Sequence, residues 1–218
     1  MAVYLKKFET QSAYEAAQSS LILPNVSLTV DNNTVHYNPS SPTPPTPTYE
    51  TVDLGLPSGT LWAKYNVGAT SETEYGNYYQ YGKGAAQYAA TSGDSDYSGT
   101  ENPLALSADT AAQVWGGSWH IPTSAQCAEL TANTTYEWTT IDGVNGGKFT
   151  AQNGNYIFIP AANAASDKSV GDYCQIWCST SFVQFNLLRA YTMISNNEEI
   201  CIGADRLDYG FSVRGVIG

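Results

Sequence analysis

The chain has 218 residues, enough for one good-sized domain with a smaller appendage, and its 42% hydrophobic content supports a packed core. Nine basic against twenty acidic side chains leave a formal charge of −11, which repels phosphate backbones and anionic lipid and argues against nucleic-acid binding. Only 13% of residues are charged while 16 are Tyr and 19 are Gly, a balance that predicts loop-rich α+β structure rather than long helices.

From the N-terminus, residues 1–9 lack the apolar stretch of a secretory signal, and no later segment approaches the ~18 apolar residues of a membrane span. Membrane insertion is therefore not expected, and a protein that works outside the cell would leave by another route, such as a particle released by lysis. Residues 3–8 alternate like a strand, and Ser12-Ala13-Tyr14-Glu15 is a capping-box pattern that opens a short Ala-rich helix. Residues 26–30 and 34–37 flank Asp31-Asn32-Asn33 as a hairpin. This β-α-β-β head, residues 1–38, is near the lower size limit for independent folding, so it reads as an attachment or oligomerisation module. Residues 39–48 are dense in proline, which forbids helix and sheet ladders and favours an extended linker.

The body covers residues 49–218. Residues 54–63 read as a Gly/Pro turn leading into a strand with a buried Trp62, and turn formers dominate residues 76–99. Asp109 to Val114 is a short helix ended by Gly116-Gly117, and Thr123-Ser124-Ala125-Gln126 caps a second helix that runs to about Thr131. Residues 149–160 form a hairpin around Asn153-Gly154, with 156–159 as its buried second strand. From Tyr173 onward the pattern predicts short strands and long loops. In residues 174–208 three of the four cysteines mix with Phe, Leu and polar residues without a sustained period of 2 or 3.6. Fixed-looking neighbours frame them: Trp177, Ser179, Thr180, Ala190 and Tyr191, then Tyr209 to Val216. A segment selected for packing would repeat, so a binding surface is the first candidate.

The four cysteines could form two disulfides, but they are dispersed and read as free thiols, and Cys174, Cys178 and Cys201 have no basic neighbour to activate them. Cys174 and Cys178 are too few, and too far in sequence from a histidine, for a zinc site. Asp94 and Asp96 alternate as calcium ligands do, but further carboxylates and a terminal bidentate Glu are absent, so they read as a solvated turn. No metal or other cofactor is expected. Of the five Trp residues, 62, 115, 119, 138 and 177, four sit in strand-like or motif positions and read as core rather than a sugar platform. Arg214, between Val213 and Val216, reads as an internal ion-pair or carbonyl-binding residue. Only His36 and His120 exist, in different domains, so a His-based triad would need His120. Phe182, Phe185, Leu187 and Leu188 have two readings: core packing, or an exposed apolar patch of the kind that marks an interaction site.

Five separated motifs carry a resemblance that spans the body: residues 52–63, 66–69, 75–82, 115–123 and 212–216. In this order they resemble a bacterial paralogous domain with a C-type-lectin-type fold, related in fold to formylglycine-generating enzymes. His120 and Gly215 depart from the pattern, which usually has Arg and Pro there. Residues 23–27 and 35–39 resemble, over a shorter stretch, the N-terminal segments of phage structural proteins that carry this domain. Together they resemble the variable proteins of diversity-generating retroelements, in which adenines of a template copy are mutated. The resemblance implies a lectin-type scaffold that presents hypervariable residues near its C-terminus to a target.

Mutated codons of the adenine-adenine-pyrimidine type do not reach Trp, Met, Gln, Glu or Lys. The resemblance therefore implies that Gln175, Trp177, Gln184, Met193, Glu198 and Glu199 are scaffold. The reachable residues, and so the candidate ligand-binding set, are Cys174, Ile176, Cys178, Phe182, Phe185, Asn186, Leu187, Thr192, Ile194, Cys201, Gly203, Ala204, Asp205, Leu207 and Asp208. The implied protein is not an enzyme. It sits on a phage virion, in tail or fibre, after synthesis in the bacterial cytoplasm, and binds a host cell-surface protein or glycan. Its head contacts other virion proteins, and the family suggests a trimer. The alternatives are a non-variable adhesin or structural subunit on the bacterial surface and, from the fold kinship, an oxidase with copper at Cys174 and Cys178.

Overall fold

A computed structural model describes residues 27–31, 34–38, 49–86, 97, 99, 101–167 and 170–218. The chain divides into two compact units, Met1–Thr48 and Tyr49–Gly218. In the first, β1 (Ser27–Asp31) and β2 (Thr34–Asn38) pair antiparallel, as the flanks of Asp31-Asn32-Asn33 predict. The strand over residues 3–8, the helix after Ser12, the linker at 39–48 and the Asp94/Asp96 turn all lie outside the described residues.

The second unit is α+β, and its described residues form two short helices and three sheets. Its helices start where side-chain acceptors wait for orphan N–H groups. α1 (Thr110–Trp115) is capped by Asp109, whose Oδ1 accepts from Ala112 N at 3.1 Å and whose Oδ2 accepts from Ile121 N at 2.8 Å. α2 (Ser124–Asn133) has the full capping box: Gln126 N donates to Thr123 Oγ1 at 3.1 Å, and Thr123 N donates to Gln126 Oε1 at 2.9 Å. Gly116, in the left-handed region, ends α1.

The first sheet orders β13 (Val216–Ile217), β4 (Leu61–Ala63) and β3 (Thr51–Asp53), so the last residues of the chain pair with the first strands of the body. Trp62 is fully buried there. His120 extends this frame, exchanging backbone hydrogen bonds with Val216 at 3.1 and 2.8 Å. The second sheet is a meander of β6 (Thr134–Ile141), β7 (Val144–Ala151) and β8 (Tyr156–Pro160). The β7–β8 hairpin around Asn153-Gly154 follows the sequence reading. The β6–β7 hairpin does not, although its turn, Asp142-Gly143 with both φ positive, is the residue pair that two-residue hairpins favour.

The third sheet orders β11 (Ile200–Arg206), β10 (Leu187–Ser195), β9 (Cys174–Gln184), β12 (Phe211–Ser212) and β5 (Tyr78–Tyr79). This corrects the expectation of short strands and long loops after Tyr173. β9 and β10 run for 11 and 9 residues and join through a two-residue turn. The helical and strand periods fail on β9 because it is buried on both sides. Cys174, Ile176 and Cys178 face one core with Trp62, Leu130, Phe149 and Met193, while Trp177 faces another with Tyr79, Tyr81, Phe211 and Val213. A strand covered on both faces shows no alternation.

Arg214 joins these parts. Its side chain is fully buried, and its Nε donates to Asn66 Oδ1 at 2.9 Å. Nη1 donates to Ala63 O at 3.0 Å and Lys64 O at 2.7 Å, and Nη2 donates to Phe158 O at 2.7 Å. Burial pulls the guanidinium down to about 9, still charged at neutral pH. The contacts tie the end of the chain to β4 of the first sheet and β8 of the second. The next residue, Gly215, lies so close to Trp115 that a Cβ would come within 2.4 Å of Cζ3, which gives this glycine a packing reason. We predict that Arg214→Lys, whose single ammonium cannot serve four acceptors in this fork, lowers unfolding free energy by about 3 kcal/mol. Urea titration of the two proteins checks it.

Candidate functional site

The antiparallel register sorts the candidate residues onto faces. Thr192 opposes Trp177 and Gly203, Ile194 opposes Gln175 and Cys201, and Ala190 opposes Asp205. Directly opposed residues share a face, so Gln175, Thr192, Ile194, Cys201, Gly203 and Asp205 form one patch across β9, β10 and β11. A polar ladder crosses it: Gln175 Nε2 donates to Asp205 Oδ2 at 2.6 Å and to Thr192 Oγ1 at 3.2 Å. A Cβ at Gly203 would lie 2.9 Å from Ile194 Cδ1, so the glycine leaves room for that side chain. Cys201 is exposed, and Ile194, Gly203 and Asp205 are half-buried.

The β9–β10 turn closes on Gln184 opposite Leu187, with Phe185 and Asn186 at φ 51° and 60°. Two positive φ values in a two-residue loop define a type I′ geometry, which suits Asn-Gly and penalises a bulky first residue. Yet Phe185 is 91% exposed, and Val183 and Leu187 beside it are 68% and 59% exposed, so the apex is an exposed apolar tip. Phe182 lies lower on the hairpin with its ring against Tyr191, centroids 4.7 Å apart.

Beside the tip is an open cleft of about 430 Å³ lined by Tyr97, Leu187, Leu188, Arg189, Arg206, Leu207 and Asp208. Arg206 forms a two-pronged contact with the Asp208 carboxylate, Nε to Oδ1 at 2.9 Å and Nη2 to Oδ2 at 2.8 Å. Arg189 opposes Arg206 across the β10–β11 ladder, and its Nε is shielded from water without a hydrogen-bond partner. Tip, cleft and sheet face therefore belong to one β9–β10–β11 unit.

Four candidates must be withdrawn from the surface. Cys174, Ile176 and Cys178 are 1%, 0% and 0% exposed because they face the first core, and Thr192 is enclosed beneath the polar ladder. Leu207 and Asp208 are buried as residues but contribute to the cleft wall. Phe182, Phe185, Asn186, Leu187, Ile194, Cys201, Gly203, Ala204 and Asp205 retain exposed or half-buried positions. Of the residues assigned to scaffold, Gln175, Trp177 and Met193 are buried, whereas Gln184, Glu198 and Glu199 are exposed. Sequence reasoning missed Val183 and the cleft arginines Arg189 and Arg206. Val183 carried a signal, since it lies two residues before the turn and two is the period of one strand face.

The cysteine pair on which the oxidase reading rests is closed to solvent, and burial pushes the Cys174 thiol up to about 11. His120 is committed through its backbone to Val216, and its Nδ1 lies 3.1 Å from Ser118 O. Among the described residues, no three His, Cys, Asp or Glu side chains are grouped to hold a metal ion. No protein-family model, curated protein or solved structure matches the chain.

The double substitution F185N/N186G places Asn-Gly in the same turn and relieves the positive φ at Phe185. We predict that it raises unfolding free energy by about 1 kcal/mol, read by urea titration.

Proposed function

We propose that the chain is a target-recognition protein, displayed on a phage particle, that binds a host-surface protein or glycan through the β9–β10–β11 unit. The observation that carries this reading is the tip: a phenylalanine held almost fully in water at a backbone conformation that disfavours it. Folding alone would select against such a residue, and strained, exposed apolar positions cluster where partners bind. The aliphatic neighbours Val183 and Leu187 widen the apolar contact, while the cleft adds the charged Arg189, Arg206 and Asp208 at its edge. A central apolar anchor with a polar rim is the distribution of binding energy seen at protein interfaces.

Short helices and the pairing of the last strand, β13, with β4 near the start of the body support a lectin-type frame. Diversification would then act on the outward residues of the hairpin and of β11, leaving the core side chains of the same strands unchanged. Several copies on one particle would convert weak single contacts into avidity.

The test compares particles or oligomers carrying the wild-type chain and F185N/N186G for binding to host cells. Because the variant is expected to fold at least as well, loss of binding isolates the tip. We predict a fall in apparent affinity of about 30-fold, the scale of losing one anchor residue. Wild-type binding by the folded variant would contradict the reading.

A further inference from the structure

Two thiols meet inside the body. Cys127, near the start of α2, and Cys178, on β9, both have no solvent exposure, and their sulfurs are 3.5 Å apart. Backbone-level links already clamp the two segments beside the pair: Ser179 N donates to Pro122 O at 2.8 Å, and Ser124 N donates to Thr180 Oγ1 at 3.0 Å. A disulfide requires sulfurs about 2.0 Å apart. Closing the remaining gap takes a small adjustment of two side chains on elements that are already in place. The other thiols are placed differently, since Cys174 Sγ donates to Ile159 O at 2.9 Å and Cys201 is exposed on the edge strand.

We propose that Cys127 and Cys178 form an intramolecular disulfide that pins α2 to β9 when the chain folds in oxidising surroundings. The two thiols together lose two protons and two electrons as the S–S bond forms, and a small-molecule disulfide accepts them and is cleaved to two thiols. The hydrogen bond with the Cys178 thiol, and then burial, push Cys127 well up, so thiolate attack belongs to folding, before α2 closes over β9. Once buried, the bond is out of reach of reductants in solution. It joins residues 51 apart, a span whose closure restricts the unfolded chain strongly. β9 continues into the hairpin that bears Phe185, so the bond would secure the strand beneath the tip, whatever that tip binds.

The test uses the full chain, refolded in oxidised and reduced glutathione, with free thiols blocked in denaturant and the product mapped by peptide mass. We expect two blockable thiols in place of the four of the reduced protein, and one cross-linked peptide pair containing Cys127 and Cys178. Tm should lie about 10 °C above that of the reduced chain. Cys201→Ser removes the exposed thiol and should leave the bond and the Tm rise intact. Four blockable thiols after oxidative refolding, a bond through Cys174 or Cys201, or no rise in Tm would overturn the proposal.

Discussion

The buried guanidinium of Arg214 is the constraint on which the rest of the body depends. Removing a charge from water costs several kcal/mol unless its donors are satisfied, and here four acceptors from two distant parts of the chain meet it. Three of those acceptors are backbone carbonyls, so the arrangement depends on where the main chain runs more than on which side chains surround it. Ala63 and Lys64 belong to the opening of the body, Phe158 to the second sheet, and Arg214 to the end of the chain. The pairing of β13 with β4 and the exchange between His120 and Val216 follow from the same return of the chain to its start.

That closure frees the intervening segment for another use. β9 lies between two cores and is anchored on both faces, by Ile176 on one side and by Trp177, whose Nε1 donates to Tyr79 O at 2.7 Å, on the other. A strand held so firmly can extend beyond the cores and carry an exposed hairpin whose own residues contribute little to folding. The turn at Phe185 and Asn186 then illustrates a division of labour along one strand pair. The same backbone geometry at Asp142 and Gly143 uses residues that suit it, whereas the β9–β10 turn uses residues that do not.

Local signals in the sequence were readable wherever the physics is local. Asp109, Thr123 and Gln126 announce helix starts because each cap is completed within a few residues, and Asn153-Gly154 announces a turn for the same reason. Trp62 and the carbonyl-binding role of Arg214 were legible because large apolar groups and multi-donor cations have few stable environments. The β6–β7 hairpin escaped notice because Gly146 and Gly147 interrupt the apolar alternation of its second strand, although Asp142-Gly143 marked the turn. Residues 174–208 are harder to read. A segment without a period reads as short strands and loops, whereas on β9 the missing period reflects burial on two faces, and codon reachability, which is blind to burial, includes Cys174, Ile176 and Cys178 in a surface they do not reach. The outward set became legible only once strand register assigned each residue to a face.

Along β9, β10 and β11, side chains the fold requires share single strands with side chains it leaves free. A saturation library over residues 174–208, sorted for protease resistance, separates the two groups. Ile176, Trp177, Cys178, Ala190 and Met193 should tolerate few replacements, while Val183, Phe185, Asn186, Leu187 and Cys201 should tolerate most, polar ones included. Equal tolerance at the two groups, or loss of folding on polar replacement of Phe185, would contradict it.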